Sequence, residues 1–382
     1  MQEKLTLMIP GPTPVPESVL RALGRHPIGH RSAEFQEIIQ RTNNQLKWLH
    51  QTKNDVLTIT GSGTSAMEAG IINTLSKGNK VICGENGKFG ERWVKVARAY
   101  GLNVHVIKAE WGKALDPKEF KQILDNDLNK EIKAVIITHS ETSTGVLNDL
   151  EEISKHVISH GKAISIVDCV TSVGACDVPT DAWKLDVVAS GSQKGYMIPP
   201  GLSFVSMSTR AWKAQKESNL PKFYLDLSTY QKNIEKNNTP FTPSVNLYFA
   251  LEAALEIMQK EGLSAIFKRH DRHKRAVQEA MKALHLPLFA EETNSSPAIT
   301  AIATEGIDAE IIRKKIKEKY DILLAGGQDH LKGKIFRIGH LGFVNDRDII
   351  TVISAIESTI HALNLAKSEM GSGLAAASKI LS

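Results

Sequence analysis

Seven short, β-rich apolar runs punctuate the first part of the chain: Val56–Ile59, Lys80–Cys83, Val104–Ile107, Ala134–Ile137, Ile164–Val167, Val187–Ala189 and Ser203–Val205. Helix-length segments lie between most of them. The alternation predicts an α/β fold with a seven-stranded, mainly parallel sheet and helices on both faces. Ligands of such sheets sit at the carboxyl ends of the strands, so the residues just after each run are where chemistry is sought. Further on, Leu247, Leu251, Ala254, Leu255 and Met258 recur at helical spacing, and Leu263, Ile266, Phe267, Val277, Ala280, Met281 and Leu284 continue the pattern past Gly262. A domain junction is placed there. Beyond it, a helix, strand 298–302, helix 308–319, strand 334–338 and helix 346–363 predict a smaller α+β domain. The expected division is an N-terminal arm at 1–15, a large domain at 16–261 and a small C-terminal domain at 262–382, with the end around Gly371-Ser372-Gly373 loosely held.

A length of 382 residues is enough for two cores. The net charge of +5, from 47 basic and 42 acidic residues spread along the chain, gives no basic cluster of the kind nucleic acid requires. No apolar stretch is long enough to span a bilayer, and the start, Met1-Gln2-Glu3-Lys4, lacks a secretory pattern. A cytoplasmic location is expected, with neither membrane nor nucleic acid as partner. Cys83, Cys169 and Cys176 are too few and wrongly spaced for zinc or an iron-sulfur cluster, and read as reduced core thiols; no metal is expected.

Chemistry gathers after the strands. Gly61-Ser62-Gly63-Thr64 opens a helix, where free N–H groups and the Ser62 and Thr64 hydroxyls suit a phosphate, although a plain helix cap reads equally well. The spacing is neither a dinucleotide fingerprint nor a P-loop. Asn86-Gly87-Lys88-Phe89 offers a ring for a planar ligand, or ordinary core. The run Thr138 to Gly145 is dense in hydroxyls, with Thr142 or a neighbour as a donor to a ring oxygen or simply as part of a turn. Asp168 closes an apolar strand and is either a partner for a protonated ring nitrogen or a strand-end cap. Lys194, in Gly191-Ser192-Gln193-Lys194-Gly195, is a Schiff-base candidate set among small residues, against the ordinary reading of a solvated lysine. Arg337 sits inside an apolar strand and needs a partner there, either a substrate carboxylate or a structural salt bridge. Separately each is weak; together, in this order, they describe a pyridoxal phosphate site.

These motifs, with Pro10-Gly11-Pro12-Thr13-Pro14, Glu141-Thr142-Ser143-Thr144-Gly145-Val146, Pro199-Pro200-Gly201 and Phe336-Arg337-Ile338-Gly339, run nearly end to end. The sequence resembles the class V aminotransferases of fold type I, most closely the alanine-glyoxylate and serine-glyoxylate types. The resemblance implies pyridoxal 5'-phosphate as cofactor, with Lys194 as its Schiff-base lysine and proton shuttle, Asp168 on the pyridine nitrogen, Phe89 stacked on the ring and Val170 against the opposite face. It places Ser62, Gly63, Thr64 and Gln193 at the phosphate, Thr142 near the ring hydroxyl and Arg337 on the substrate carboxylate. It also implies a homodimer with shared active sites, in which Thr242 reaches the neighbouring subunit's phosphate. Thr239 stands where some relatives carry a tyrosine that makes a similar contact, and the segment Gly29 to Phe35 is placed near the substrate mouth. The implied reaction is transamination of a small L-amino acid, alanine first and serine second, with glyoxylate, because no second arginine matches a dicarboxylate side chain. Other readings are another class V pyridoxal phosphate enzyme acting on a small amino donor, a nicotinamide-dependent dehydrogenase, which lacks its glycine pattern, and a non-catalytic subunit of a redox complex.

Overall fold

The computed structural model describes residues 5–382. All seven expected strands form one sheet, in the order Val56–Gly61, Gly201–Met207, Val187–Gly191, Ile164–Asp168, Ile132–Thr138, Lys80–Glu85 and Asn103–Lys108. Only Gly201–Met207 runs antiparallel to its neighbours. The period-2 alternation of a strand sends successive side chains to opposite faces. Here that puts Ile82, Val135, Val167, Val188 and Phe204 into one apolar core, and Val81, Ala134, Ile166, Val187 and Val205 into another on the other side. Burial on both faces explains why these runs read as continuous apolar stretches.

The connecting helices start where the sequence provides caps. Asp116, Asp149 and Asp226 each accept a backbone N–H at the start of helices Pro117–Asn126, Leu150–His160 and Leu227–Ile234. Two helices that border the cavity described below lack such caps: Gly63–Thr74, preceded by Ser62, and Lys88–Ala99, preceded by Gly87. Their N–H groups are left for other partners.

Helix Val245–Glu261 ends at Gly262, whose φ of +83° breaks the helical path before helix Leu263–Ala283 begins. A second, four-stranded sheet follows in the order Thr6–Met8, Ile322–Gly326, Ile335–Gly339 and Ile299–Ala303, with a core of its own under helices Ala309–Tyr320 and Asp346–Ala362. Two of these strands were not anticipated. Thr6–Met8 is only three residues long and is a strand because it pairs in parallel with Ile322–Leu324, far along the chain. The end of the chain also departs from expectation: Ser372–Leu381 is a helix, not a loose tail. It packs on helix Leu263–Ala283, where Gly373 lies so close to Leu284 that a Cβ would meet its side chain at 2.9 Å.

Candidate active site

At the carboxyl ends of strands Val56–Gly61, Ile132–Thr138, Ile164–Asp168 and Val187–Gly191 the loops diverge around a cavity of about 180 Å³. Ser62, Gly63, Thr64, Phe89, Thr142, Asp168, Val170, Gln193 and Lys194 all line it. Nine expected residues from five separate strand ends therefore meet at one place. Arg337 is not on the cavity wall but is tied to it, as its Nη1 donates to the carbonyl of Thr142 at 2.8 Å. Thr242 lies elsewhere, exposed on the surface beside Tyr224 and Phe241. Arg31 donates to Asn238 and to the Thr239 carbonyl, which joins the Gly29–Phe35 segment to the Thr239–Thr242 loop and not to the cavity.

Lys194 is buried, and its Nζ donates to the Pro10 carbonyl at 2.7 Å. Burial pulls its amine down to about 8; the Asp168 carboxylate opposes this, and the Arg337 and Arg92 charges reinforce it. A substantial fraction of a lysine so placed is a neutral nucleophile at mildly alkaline pH. The amine is held so closely that a Cβ on Gly11, itself at φ +144°, would meet Nζ at 2.8 Å. Asp168 is likewise buried, and burial raises its carboxyl to about 6. Val170 N–H donates to its Oδ1 at 2.9 Å, and Oδ2 accepts no hydrogen bond among the described residues.

Arg337 is anchored through backbone carbonyls, Nε to Gly326 at 2.9 Å and Nη1 to Thr142. Burial pulls it down to about 10, so it stays cationic at neutral pH, and no carboxylate forms an ion pair with it among the described residues. The structural salt bridge considered from sequence is not formed. A buried guanidinium with unspent donors and no direct ion pair, acted on only at longer range by the Glu141 carboxylate, suits a ligand carboxylate.

Two residues that order the site were missed from sequence. Glu141 is fully buried and caps helix Lys88–Ala99 from outside, accepting from Phe89 N at 3.1 Å and Gly90 N at 2.9 Å, and also from Ser143 N at 3.1 Å. This fixes the turn that carries Phe89. Burial raises the Glu141 carboxyl while these donors lower it. Arg92 lies three residues after Phe89, one helical turn on, and stacks its guanidinium 4.8 Å from the Phe89 ring centre. The helical spacing from Phe89 was the signal for Arg92; Glu141 stood inside a quoted motif without an assigned role.

The donor set fits pyridoxal phosphate on the structure's own terms. The helix Gly63–Thr74 begins with no side-chain cap, leaving its first N–H groups for an anion. Asp168 presents a free carboxylate oxygen, and Gln193, Phe89 and Val170 stand on the same cavity wall. A Cβ on Gly63 would meet Val170 at 3.0 Å, so this strip of wall stays narrow.

Residues 7–342 match the family model described as aminotransferase class-V. The chain is 61% identical, over the whole of both chains, to a Synechococcus protein named soluble hydrogenase, small subunit. It is 35% identical to the L-aspartate–glyoxylate aminotransferase of Paracoccus denitrificans, covering 99% of this chain and 96% of that one. Among solved structures, the ureidoglycine–glyoxylate aminotransferase of Bacillus subtilis superposes with a TM-score of 0.92 at 30% identity, covering 100% and 98% of the two chains. The site geometry and these similarities agree: the chain belongs to the class-V aminotransferase family, and its cofactor is pyridoxal phosphate.

Proposed function

We propose that this protein transfers the amino group of a small L-amino acid, alanine first and serine second, to glyoxylate, giving glycine and a 2-oxo acid. The observation that supports the reading is the convergence of a buried, partly neutral Lys194 with a buried Asp168 on one cavity wall, to which the buried Arg337 is tied through the Thr142 carbonyl. The family relatives named for glyoxylate support it as acceptor. When bound, pyridoxal phosphate supplies an electron sink for the pair left at the substrate's α-carbon. Asp168, as a carboxylate, would hold the ring nitrogen in its protonated form. Phe89 and Val170 would hold the ring plane, while Ser62, Gly63, Thr64 and Gln193 would hold the phosphate and Thr142 the ring hydroxyl. Arg337 binds and orients the substrate's α-carboxylate in both half-reactions, so that the α-proton faces Lys194. Lys194 would take up and hold that proton on Nζ, which its lowered basicity permits.

A small donor follows from the supply of cations. Of the two arginines considered for a substrate carboxylate, Arg337 is buried and has no ion pair among the described residues, and Arg31 is spent on Asn238 and Thr239; Arg92, on the cavity wall beside Thr64, is assigned to the phosphate side below. We further place the protein in the cytoplasm as a homodimer in which Thr242 reaches across to the neighbouring cofactor. No helix among the described residues is long and apolar enough to cross a membrane.

The donor is tested by adding L-alanine, L-serine or L-aspartate to the cofactor-loaded protein, following loss of its visible band, and then measuring glycine formed from added glyoxylate. The reading predicts fastest bleaching with alanine or serine; preference for aspartate would contradict it. A second reading, a non-catalytic subunit of a redox complex, draws on the name of the Synechococcus relative. Among the described residues no group of three or more His, Cys, Asp or Glu is placed to hold a metal ion. That reading predicts no bleaching with any amino acid and recovery of the protein in a larger assembly.

A further inference from the structure

We propose that Arg92 completes the phosphate subsite, as the cation that compensates the cofactor's phosphate. The proposal deepens the aminotransferase reading and rests on it. Arg92 lines the same cavity as Ser62, Gly63 and Thr64. Its Nη1 lies 3.5 Å from the Thr64 hydroxyl, at the long limit of a hydrogen bond, and this is the side chain's sole polar contact among the described residues. The guanidinium is held in place by the Phe89 ring, 4.8 Å away, and by its place one turn along the helix that Glu141 caps. Its remaining donors are unspent.

Charge balance requires such a group. A phosphate monoester carries roughly 1.5 to 2 negative charges near neutral pH, whereas a helix N-terminus offers about half a positive charge. The cavity wall holds two cations, Arg92 and Lys194, and the Lys194 amine is committed to the cofactor's carbonyl carbon. Asp168 adds a negative charge on the same wall. Position 64 carries a hydroxyl, so the cradle of Ser62, Gly63, Thr64 and Gln193 is neutral without Arg92. A planar guanidinium presents parallel N–H groups that suit phosphate oxygens.

The test titrates cofactor-free wild type, Arg92→Gln and Arg92→Lys with pyridoxal phosphate and with pyridoxal, which shares the ring, aldehyde and hydroxyl but lacks the phosphate. Dissociation constants are read from quenching of tryptophan fluorescence. Arg92→Gln should weaken pyridoxal phosphate by about 10- to 100-fold and leave pyridoxal within about twofold, with Arg92→Lys between wild type and Gln. Equal weakening of both ligands would make Arg92 a support for the Phe89 ring and overturn the proposal, as would no weakening of either. If Arg92→Gln does not fold, as read by near-UV dichroism, the ratio of the two constants in Arg92→Lys decides: a raised ratio supports the proposal and an unchanged one overturns it. Wild type that binds neither ligand at Lys194 would remove the aminotransferase reading itself, whereas normal wild-type binding with an unchanged ratio in the variants removes only the role of Arg92.

Discussion

Asp168 is buried before any ligand arrives, and that burial raises its carboxyl to about 6. An unfolded aspartate titrates near ~3.9, so the folded, cofactor-free chain binds the proton more tightly. The resulting stabilisation is complete below pH ~4 and is lost as pH rises through about 6; above that, the ionised carboxylate costs about 2–4 kcal/mol. Asp168→Asn should therefore raise the melting temperature of the cofactor-free protein at pH 8 and leave it nearly unchanged at pH 4. Turnover of the loaded enzyme should fall by about 100-fold or more, since the ring nitrogen loses its counter-charge. A variant that melts no higher than wild type at pH 8 would contradict the burial argument. Arg337 poses the complementary case, a buried cation without an ionic partner. Arg337→Gln should lower kcat/KM for the amino donor by about 10- to 100-fold, chiefly by raising KM, while the visible band of the bound cofactor keeps its position. Steady-state kinetics with unchanged KM would show that the guanidinium serves the fold and not the substrate.

At the scale of elements, two open helix starts shape the cavity in different ways. Helix Gly63–Thr74 keeps its N–H groups for a ligand, whereas helix Lys88–Ala99 has them filled by Glu141 from a neighbouring loop. Gly87 makes this second arrangement possible, because a Cβ there would fall 2.4 Å from the Glu141 side chain. Its backbone is extended, so the constraint is one of space alone. Gly87→Ala should cost about 1–3 kcal/mol, seen as a lower melting temperature, and should weaken cofactor binding by displacing Phe89; unchanged melting would mean that the loop of Glu141 gives way freely. The strands and helices that form this frame were legible in the sequence because six of the seven runs, all but the edge run Val104–Ile107, are largely buried and mostly apolar. The site residues were legible because the fold places the first residues after each strand at one edge, so Ser62, Asp168 and Lys194 converge without touching in sequence. Thr6–Met8 was not legible, since nothing local makes three residues a strand; its partner lies more than 300 positions away. Glu141 was hidden for a related reason: its role depends on which helix end the chain folds against it. The tail at Ser372–Leu381 was misread because its glycines suggested freedom, while Leu284 supplies the contact that orders it.

At the scale of the molecule, the start of the chain links the two sheets to the reactive amine. Thr6–Met8 is an edge of the small-domain sheet, Ile9 and Pro10 pass against Gly339 so closely that a Cβ there would meet the Ile9 carbonyl at 2.2 Å, and the Pro10 carbonyl then receives Lys194. The four-stranded sheet and the Lys194 amine are thus joined by a few residues. Thr242, exposed on a single chain, belongs to the proposed dimer. Thr242→Ala should leave the melting temperature of the cofactor-free protein within about a degree, weaken pyridoxal phosphate by about 5- to 10-fold, and leave the sedimentation coefficient of the assembly unchanged; unaltered affinity would place the shared contact elsewhere. The account as a whole stands on Lys194. Its most direct test compares the absorbance spectrum of wild type with that of Lys194→Ala, both loaded with pyridoxal phosphate, and maps the site of attachment by mass after borohydride reduction. The account predicts a visible band and a reduced adduct on the Lys194 peptide in wild type, with both absent from Lys194→Ala. A lysine-linked band that persists in the variant, or an adduct on any other lysine, would contradict it.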